Sequence, residues 1–88
     1  VSVERQLISR VVARPEDLPA ILRQNVQAKH FHDDELAEVW QFIVDHYSEY
    51  GQGPDSEAVR LEFGDFRFNK PANPTQYYVD KLLDDHRL

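Results

Sequence analysis

Apolar positions recur at helical spacing along most of the chain. From Phe31 to Pro54, FHDDELAEVWQFIVDHYSEYGQGP, the residues Leu36, Val39, Trp40, Ile43, Val44, Tyr47 and Tyr50 fall at i, i+3, i+4, i+7, i+8, i+11 and i+14. That is one face of a helix rather than the alternation of a strand. His32 or Asp33 is placed to cap its start, Asp34 and Glu35 suit the positive end of the helix dipole, and Phe31 is positioned to fold back on Leu36. Gly51 supplies the left-handed residue that ends helices, and Pro54 blocks continuation. The spacing predicts a long helix over about 33–50 with Trp40 at the centre of its buried stripe.

The same spacing predicts a first helix over about 2–13 on Val3, Leu7, Ile8, Val11 and Val12, ending near Arg14 because residues before proline avoid the helical region. A short second helix, about 16–26, carries Leu18, Ile21, Leu22 and Val26, with Pro19 tolerated in its first turn. Asp55 or Ser56 caps a fourth, whose apolar side is Ala58, Val59, Leu61 and Phe63 and which ends by Gly64. Residues 64–74, GDFRFNKPANP, read as a loop in which Phe66 and Phe68 either pin the chain to the core or offer an exposed contact. Thr75 is placed to cap a fifth helix reaching Leu88. No strand pairing, repeat or low-complexity segment is evident. The expectation is one all-α domain over residues 1–88, a small orthogonal bundle of about five helices.

Composition narrows the function classes. With 88 residues there is room for one core, and without cysteine neither disulfides nor a thiolate metal site supplements it. A reducing, cytoplasmic setting follows as the expectation. Apolar runs fall far short of the roughly 20 residues that span a bilayer, and the N-terminus lacks the apolar core of a signal peptide, so no membrane association is expected. Sixteen acidic residues against ten basic ones give a net charge of −6. The cations are scattered singly, a poor arrangement for gripping DNA or RNA, and a protein partner is the expectation. The chain has no methionine, and its last apolar stripe, Tyr78, Val79, Leu82 and Leu83, meets no stop signal before Leu88. Excision from a longer chain is therefore expected.

Catalytic chemistry finds little footing. The GQGP turn lacks the lysine and hydroxyl of a phosphate loop. His30, His32, Asp33 and Asp34 are the densest set of metal-ligand types, and a His-Asp dipeptide resembles part of the signature of HD-type metal phosphohydrolases. That chemistry needs further ligands on separate helices and an open position for water. Asp33 and Asp34 read first as helix-start residues. No serine has a visible base and oxyanion partner, and Asp84 and Asp85 point in different directions on a helix. No catalytic, cofactor or metal residue is assigned.

The order of these features resembles the N-terminal domain of DnaB-type replicative helicases, particularly divergent phage versions. Glu4-Arg5-Gln6-Leu7-Ile8-Ser9 matches its opening Glu and aliphatic run, and His30-Phe31 the polar-aromatic pair before its long helix. Val39-Trp40 matches the aliphatic-aromatic pair within that helix, Gly51 to Pro54 the Gly-x-Pro that follows, and Tyr77-Tyr78-Val79-Asp80-Lys81-Leu82 the closing Tyr-Leu-x-x-Leu helix. Leu36 departs from the histidine that many members carry there, and Asp55-Ser56 from the usual Ile-Asp. The helical hairpin that pairs subunits has no counterpart before Leu88.

The resemblance implies a hexameric, ATP-driven parent that unwinds DNA at a replication fork, with ATP, Mg and DNA handled by a separate RecA-like domain. This chain would then carry no active site and no cofactor. It would form part of the ring's collar, contacting other helicase subunits and docking primase or a loader. Tyr47, Tyr50, Phe66, Phe68 and Tyr77 are the residues expected at such an interface, since aromatics anchor interfaces. Each is equally suited to core packing. Two other readings stand beside this one: a free-standing acidic helical adaptor or inhibitor, such as a small phage protein that binds a host enzyme, and a metal-dependent hydrolase built on His30, His32 and Asp33.

Overall fold

Among the described residues five α-helices, joined by two 3-10 turns, account for the regular structure. The computed structural model describes residues 3–64, 66–70 and 73–84, and among these no strand occurs. The helices are α1 (Val3–Ala13), α2 (Leu18–Arg23), α3 (Asp34–Tyr50), α4 (Ser56–Glu62) and α5 (Thr75–Asp84), with 3-10 turns at Pro15–Asp17 and Ala28–His30. α1 packs against both α5 and α3. The radius of gyration is 11.8 Å, close to the roughly 12 Å expected for a compact chain of this length, so the helices form one body. The fold class is the all-α bundle expected, while the end of the fifth helix near Leu88 lies outside the described residues.

The α3 stripe fills the middle. Leu36, Val39, Trp40 and Ile43 are buried and meet Leu7, Ile8 and Val11 of α1, Leu18 and Ile21 of α2, Val59 of α4, and Tyr78, Val79 and Leu82 of α5 in one apolar cluster. The start of α3 is capped twice. Asp33 Oδ1 accepts the N–H groups of Glu35 at 2.9 Å and Leu36 at 3.3 Å. Glu4 Oε1, reaching across from α1, accepts those of His32 at 3.0 Å and Asp33 at 3.3 Å. Backbone donors that the helix leaves unpaired are thus satisfied by side chains from two parts of the chain. At the other end Gly51, at φ +77°, takes the left-handed conformation and returns its N–H to the Tyr47 carbonyl at 2.8 Å.

Trp40 fixes the approach to α3. Its indole N–H donates to the Val26 carbonyl at 3.3 Å in the interior, and Phe31 stacks on it with ring centroids 5.4 Å apart. The second helix is shorter than the expected 16–26. Gln24 and Asn25 close it with bonds to Ile21 and Leu22, and Asn25 then turns left-handed at φ 64°. Asparagine is among the few side chains that adopt this conformation readily. Val26 therefore follows a turn rather than continuing a stripe, yet it stays buried, with its carbonyl on the Trp40 indole N–H.

Side-chain bonds tie the later segments to α1 and α2. Ser9, buried on α1, donates to the Arg5 carbonyl at 2.8 Å and accepts the Asn69 N–H at 2.9 Å. Arg5 Nη1 donates to the Arg67 carbonyl at 2.7 Å. Thr75, expected as a cap, is instead the first residue of α5, and its hydroxyl donates to Asp17 Oδ2 at 2.8 Å. Gln76 and Gln24 exchange amide hydrogen bonds at 2.8 and 3.0 Å. These contacts settle where α5 begins and hold it against the α1–α2 corner.

Trp40→Phe keeps an aromatic ring but removes the donor to Val26 and leaves a void. A loss of about 1–3 kcal/mol is expected from these two effects. Urea denaturation would register it as a lower midpoint with an unchanged slope; an unaltered midpoint would show that this contact does not hold the core.

Candidate functional site

The five aromatics singled out as interface residues occupy different environments. Tyr50, in the last turn of α3, is 63% exposed, and Tyr77, in the first turn of α5, is 45% exposed. Tyr47 is half-buried against the core. Phe66 is only 5% exposed. The expectation of an interface role for Phe66 is corrected by its packing: Arg5 lies over its ring at 5.1 Å, and Phe68 meets it edge-on at 4.8 Å. Phe68 is half-buried, with the Arg60 guanidinium over its ring at 5.2 Å. Of the two roles open to the loop aromatics, Phe66 performs the pinning one. Tyr50 and Tyr77 are not brought together, since Tyr50 neighbours His46 while Tyr77 neighbours Tyr78 and Lys81.

Leu61 corrects a second expectation. It stands on α4 two residues beyond the buried Val59, roughly 200° around a helix from it, and is 82% exposed instead of joining the apolar side. Phe63, four residues after Val59, turns inward enough to meet Phe42 of α3 in a T-shaped pair at 5.7 Å.

That pair begins a feature only partly contained in the expected stripe, which holds Tyr50 but neither Phe42 nor His46. Phe42, His46 and Tyr50 recur every four residues along one side of α3, with centroid separations of 5.9 Å and then 4.7 Å. Residues at this spacing neighbour one another on a helix surface. His46 Nδ1 donates to the Gln52 carbonyl at 3.0 Å, which fixes the middle ring of the row. The row is legible in the sequence as an i, i+4, i+8 pattern, but the core stripe through Ile43, Val44 and Tyr47 beside it is the stronger periodic signal. Its contact with Phe63 depends on tertiary packing and left no local signal.

The charge around this row is of one sign. α3 carries Asp34, Glu35, Glu38, Asp45 and Glu49 and no lysine or arginine. Glu38 stands one turn before Phe42 in the same four-residue register, and Asp45 and Glu49 follow on the side away from the core. All three are exposed. Asp45 accepts from Gln41 at 2.9 Å, and Glu35 approaches Arg5 at 3.9 Å. At the Phe42 end of the row a groove of about 350 Å³ is lined by Phe63 and Phe66 together with Asp34, Glu35 and Glu38.

Two other concavities are built differently. A cleft of about 310 Å³ lies among Arg10, Arg14, Asp17, Gln24, Thr75 and Gln76, where hydrogen bonds between the helices already engage Asp17, Gln24, Thr75 and Gln76. A shallow groove of about 470 Å³ runs past Val12, Ala13, Arg60, Phe68 and Lys70. Among the described residues no three His, Asp or Glu side chains converge as a metal site requires. The proposed ligands His30 and Asp33 meet backbone N–H groups, His30 Nδ1 accepting from Gln27 at 2.9 Å. Nor is any described helix long and apolar enough to cross a membrane.

No family model, curated protein or solved structure matches this chain.

The contrast among these aromatics is measurable as stability. Tyr50→Ala and Leu61→Ala are expected to stay within about 0.5 kcal/mol of the parent, as exposed substitutions do. Phe66→Ala is expected to cost about 3–5 kcal/mol, the range for buried phenylalanine. Comparable thermal denaturation midpoints for Phe66→Ala and Tyr50→Ala would overturn this assignment.

Proposed function

We propose that this chain is a protein-interaction domain with no reaction of its own and, in finer terms, the N-terminal collar domain of a DnaB-type replicative helicase. The observation that carries the interaction reading is the aromatic row of α3, half-exposed at Phe42 and His46 and exposed at Tyr50, on a helix charged with carboxylates alone. Aromatic anchors within a polar rim are the usual anatomy of a protein interface. The helicase reading is supported by the order of its motifs. Glu4 to Ser9 lies in α1, His30-Phe31 precedes α3, Val39-Trp40 lies within it, and Tyr77 to Leu82 lies in α5. On this reading ATP, Mg and DNA belong to another domain of a cytoplasmic parent, and the partners are other ring subunits and primase or a loader.

A second reading, a free-standing acidic adaptor or inhibitor that binds a host enzyme, is favoured by the net charge of −6. Titration calorimetry with the primase and the loader from the same source separates the two. The helicase reading expects binding to at least one of them with Kd near the micromolar range, weakened at least tenfold by Tyr50→Ala. Failure of both proteins to bind, alone or with the assembled ring, would remove that reading.

A further inference from the structure

We propose that the aromatic row Phe42–His46–Tyr50, continued by Phe63 into the groove beside Asp34, Glu35 and Glu38, docks a basic amphipathic segment of a partner protein. The inference rests on the interaction-domain reading and is independent of whether the parent is a helicase. The occupant presents apolar side chains to the row and lysine or arginine to the carboxylates beside it.

The shape of the surface sets the size of the occupant. Phe42 to Tyr50 covers nine residues of α3, about 12 Å along the helix axis. A single helix or extended segment covers that length. On one side the row adjoins the core stripe of the same helix. On the other the helical period places Asp45 and Glu49, and Glu38 continues the row one turn before Phe42, so an apolar ligand edge laid on the rings has carboxylates along its flank and at its end.

Charge selects among occupants. α3 has five carboxylates and no basic residue, and neither Asp34 nor Glu38 meets a cation within ion-pair distance among the described residues. A second copy of the chain would bring another net charge of −6 to this surface, opposing self-association. A basic segment is steered toward it and relieves the repulsion among its acids.

The chain supplies its own example of the contact. Arg5 lies over the Phe66 ring at 5.1 Å with Glu35 at 3.9 Å, on the same groove. A guanidinium between an aromatic face and a carboxylate gains from both the ring quadrupole and the opposite charge. Phe63 and Glu38 offer a second aromatic and a second acid in that groove. Partner arginines are favoured there over lysines, because the planar group stacks.

The test uses the whole 88-residue chain and three synthetic helical peptides of about five turns. The first carries a Leu/Phe stripe flanked by Arg, the second keeps the Arg residues but replaces the stripe with Ser, and the third keeps the stripe but replaces Arg with Glu. Two-dimensional NMR of labelled chain is expected to show the first peptide perturbing Phe42, His46, Tyr50 and Phe63. The other two should bind at least tenfold more weakly. Tyr50→Ser and the pair Glu38→Lys with Glu49→Lys, all at exposed positions, should each weaken the first peptide at least tenfold while leaving the spectrum folded.

Equal binding of the Ser peptide would reduce the effect to bulk charge and overturn the proposal, as would perturbations centred on Tyr77 or spread over the surface. If primase or the loader binds while the peptide does not map to the row, the docking inference fails and the interaction reading survives. If the peptide maps to the row while neither of those proteins binds, the inference stands and the helicase assignment falls.

Discussion

The burial of Trp40 is the constraint on which the arrangement of helices depends. An indole at the middle of the longest helix is too large to be covered by one neighbour, and its N–H cannot be left without an acceptor in an apolar interior. The chain meets both demands with the segment between α2 and α3. Val26 brings its carbonyl to the indole N–H, and Phe31 covers the ring. A loop that must deliver a carbonyl and an aromatic ring to one side chain has little freedom. The left-handed turn at Asn25 and the 3-10 turn at Ala28–His30 are the form it takes.

From this centre outward the polar contacts act as latches on the helix ends. Glu4 holds the start of α3, Ser9 and Arg5 hold the loop after α4, and Asp17 and Gln24 hold the start of α5. All but Ser9 lie away from the fully buried interior, where hydrogen bonds cost little desolvation and chiefly settle geometry. The apolar cluster supplies the drive to collapse, and these bonds choose one packing among several. The same division explains why the surface of α3 is free to carry its aromatic row: none of the latches uses it.

Much of this was legible along the chain, and the failures share a cause. Helices α1, α3 and α4 follow from apolar spacing bounded by Arg14-Pro15, by Asp33 and Gly51, and by Asp55. Periodicity and caps are local, and local signals survive in sequence. The shortened α2 was also written locally, in Asn25, but its apolar spacing through Val26 outweighed a lone asparagine. Thr75 looked like a cap because a hydroxyl after proline often is one; its true partner, Asp17, lies 58 positions away. Phe66 owes its burial to Arg5 and Ser9, which bind the Arg67 carbonyl and the Asn69 N–H of its loop across 62 and 60 positions and leave no local signal. Leu61 was misplaced because a seven-residue helix is too short for spacing to define one face, and Val59 alone settles which way it turns. The aromatic row was hidden in the open, a second periodic pattern in the shadow of the first.

The hydrogen bond from Asn69 to Ser9 joins residues 60 apart, and Arg10 reaches Thr75 across 65. An all-helical chain of this size would ordinarily draw its contacts from near neighbours and fold among the fastest domains. Here α1 waits for α5, and the entropy of closing so long a loop must be met before the α1–α5 contact returns anything. The domain is thus a circle closed late. During synthesis α1 must remain without one of its two main partners until α5 has been made.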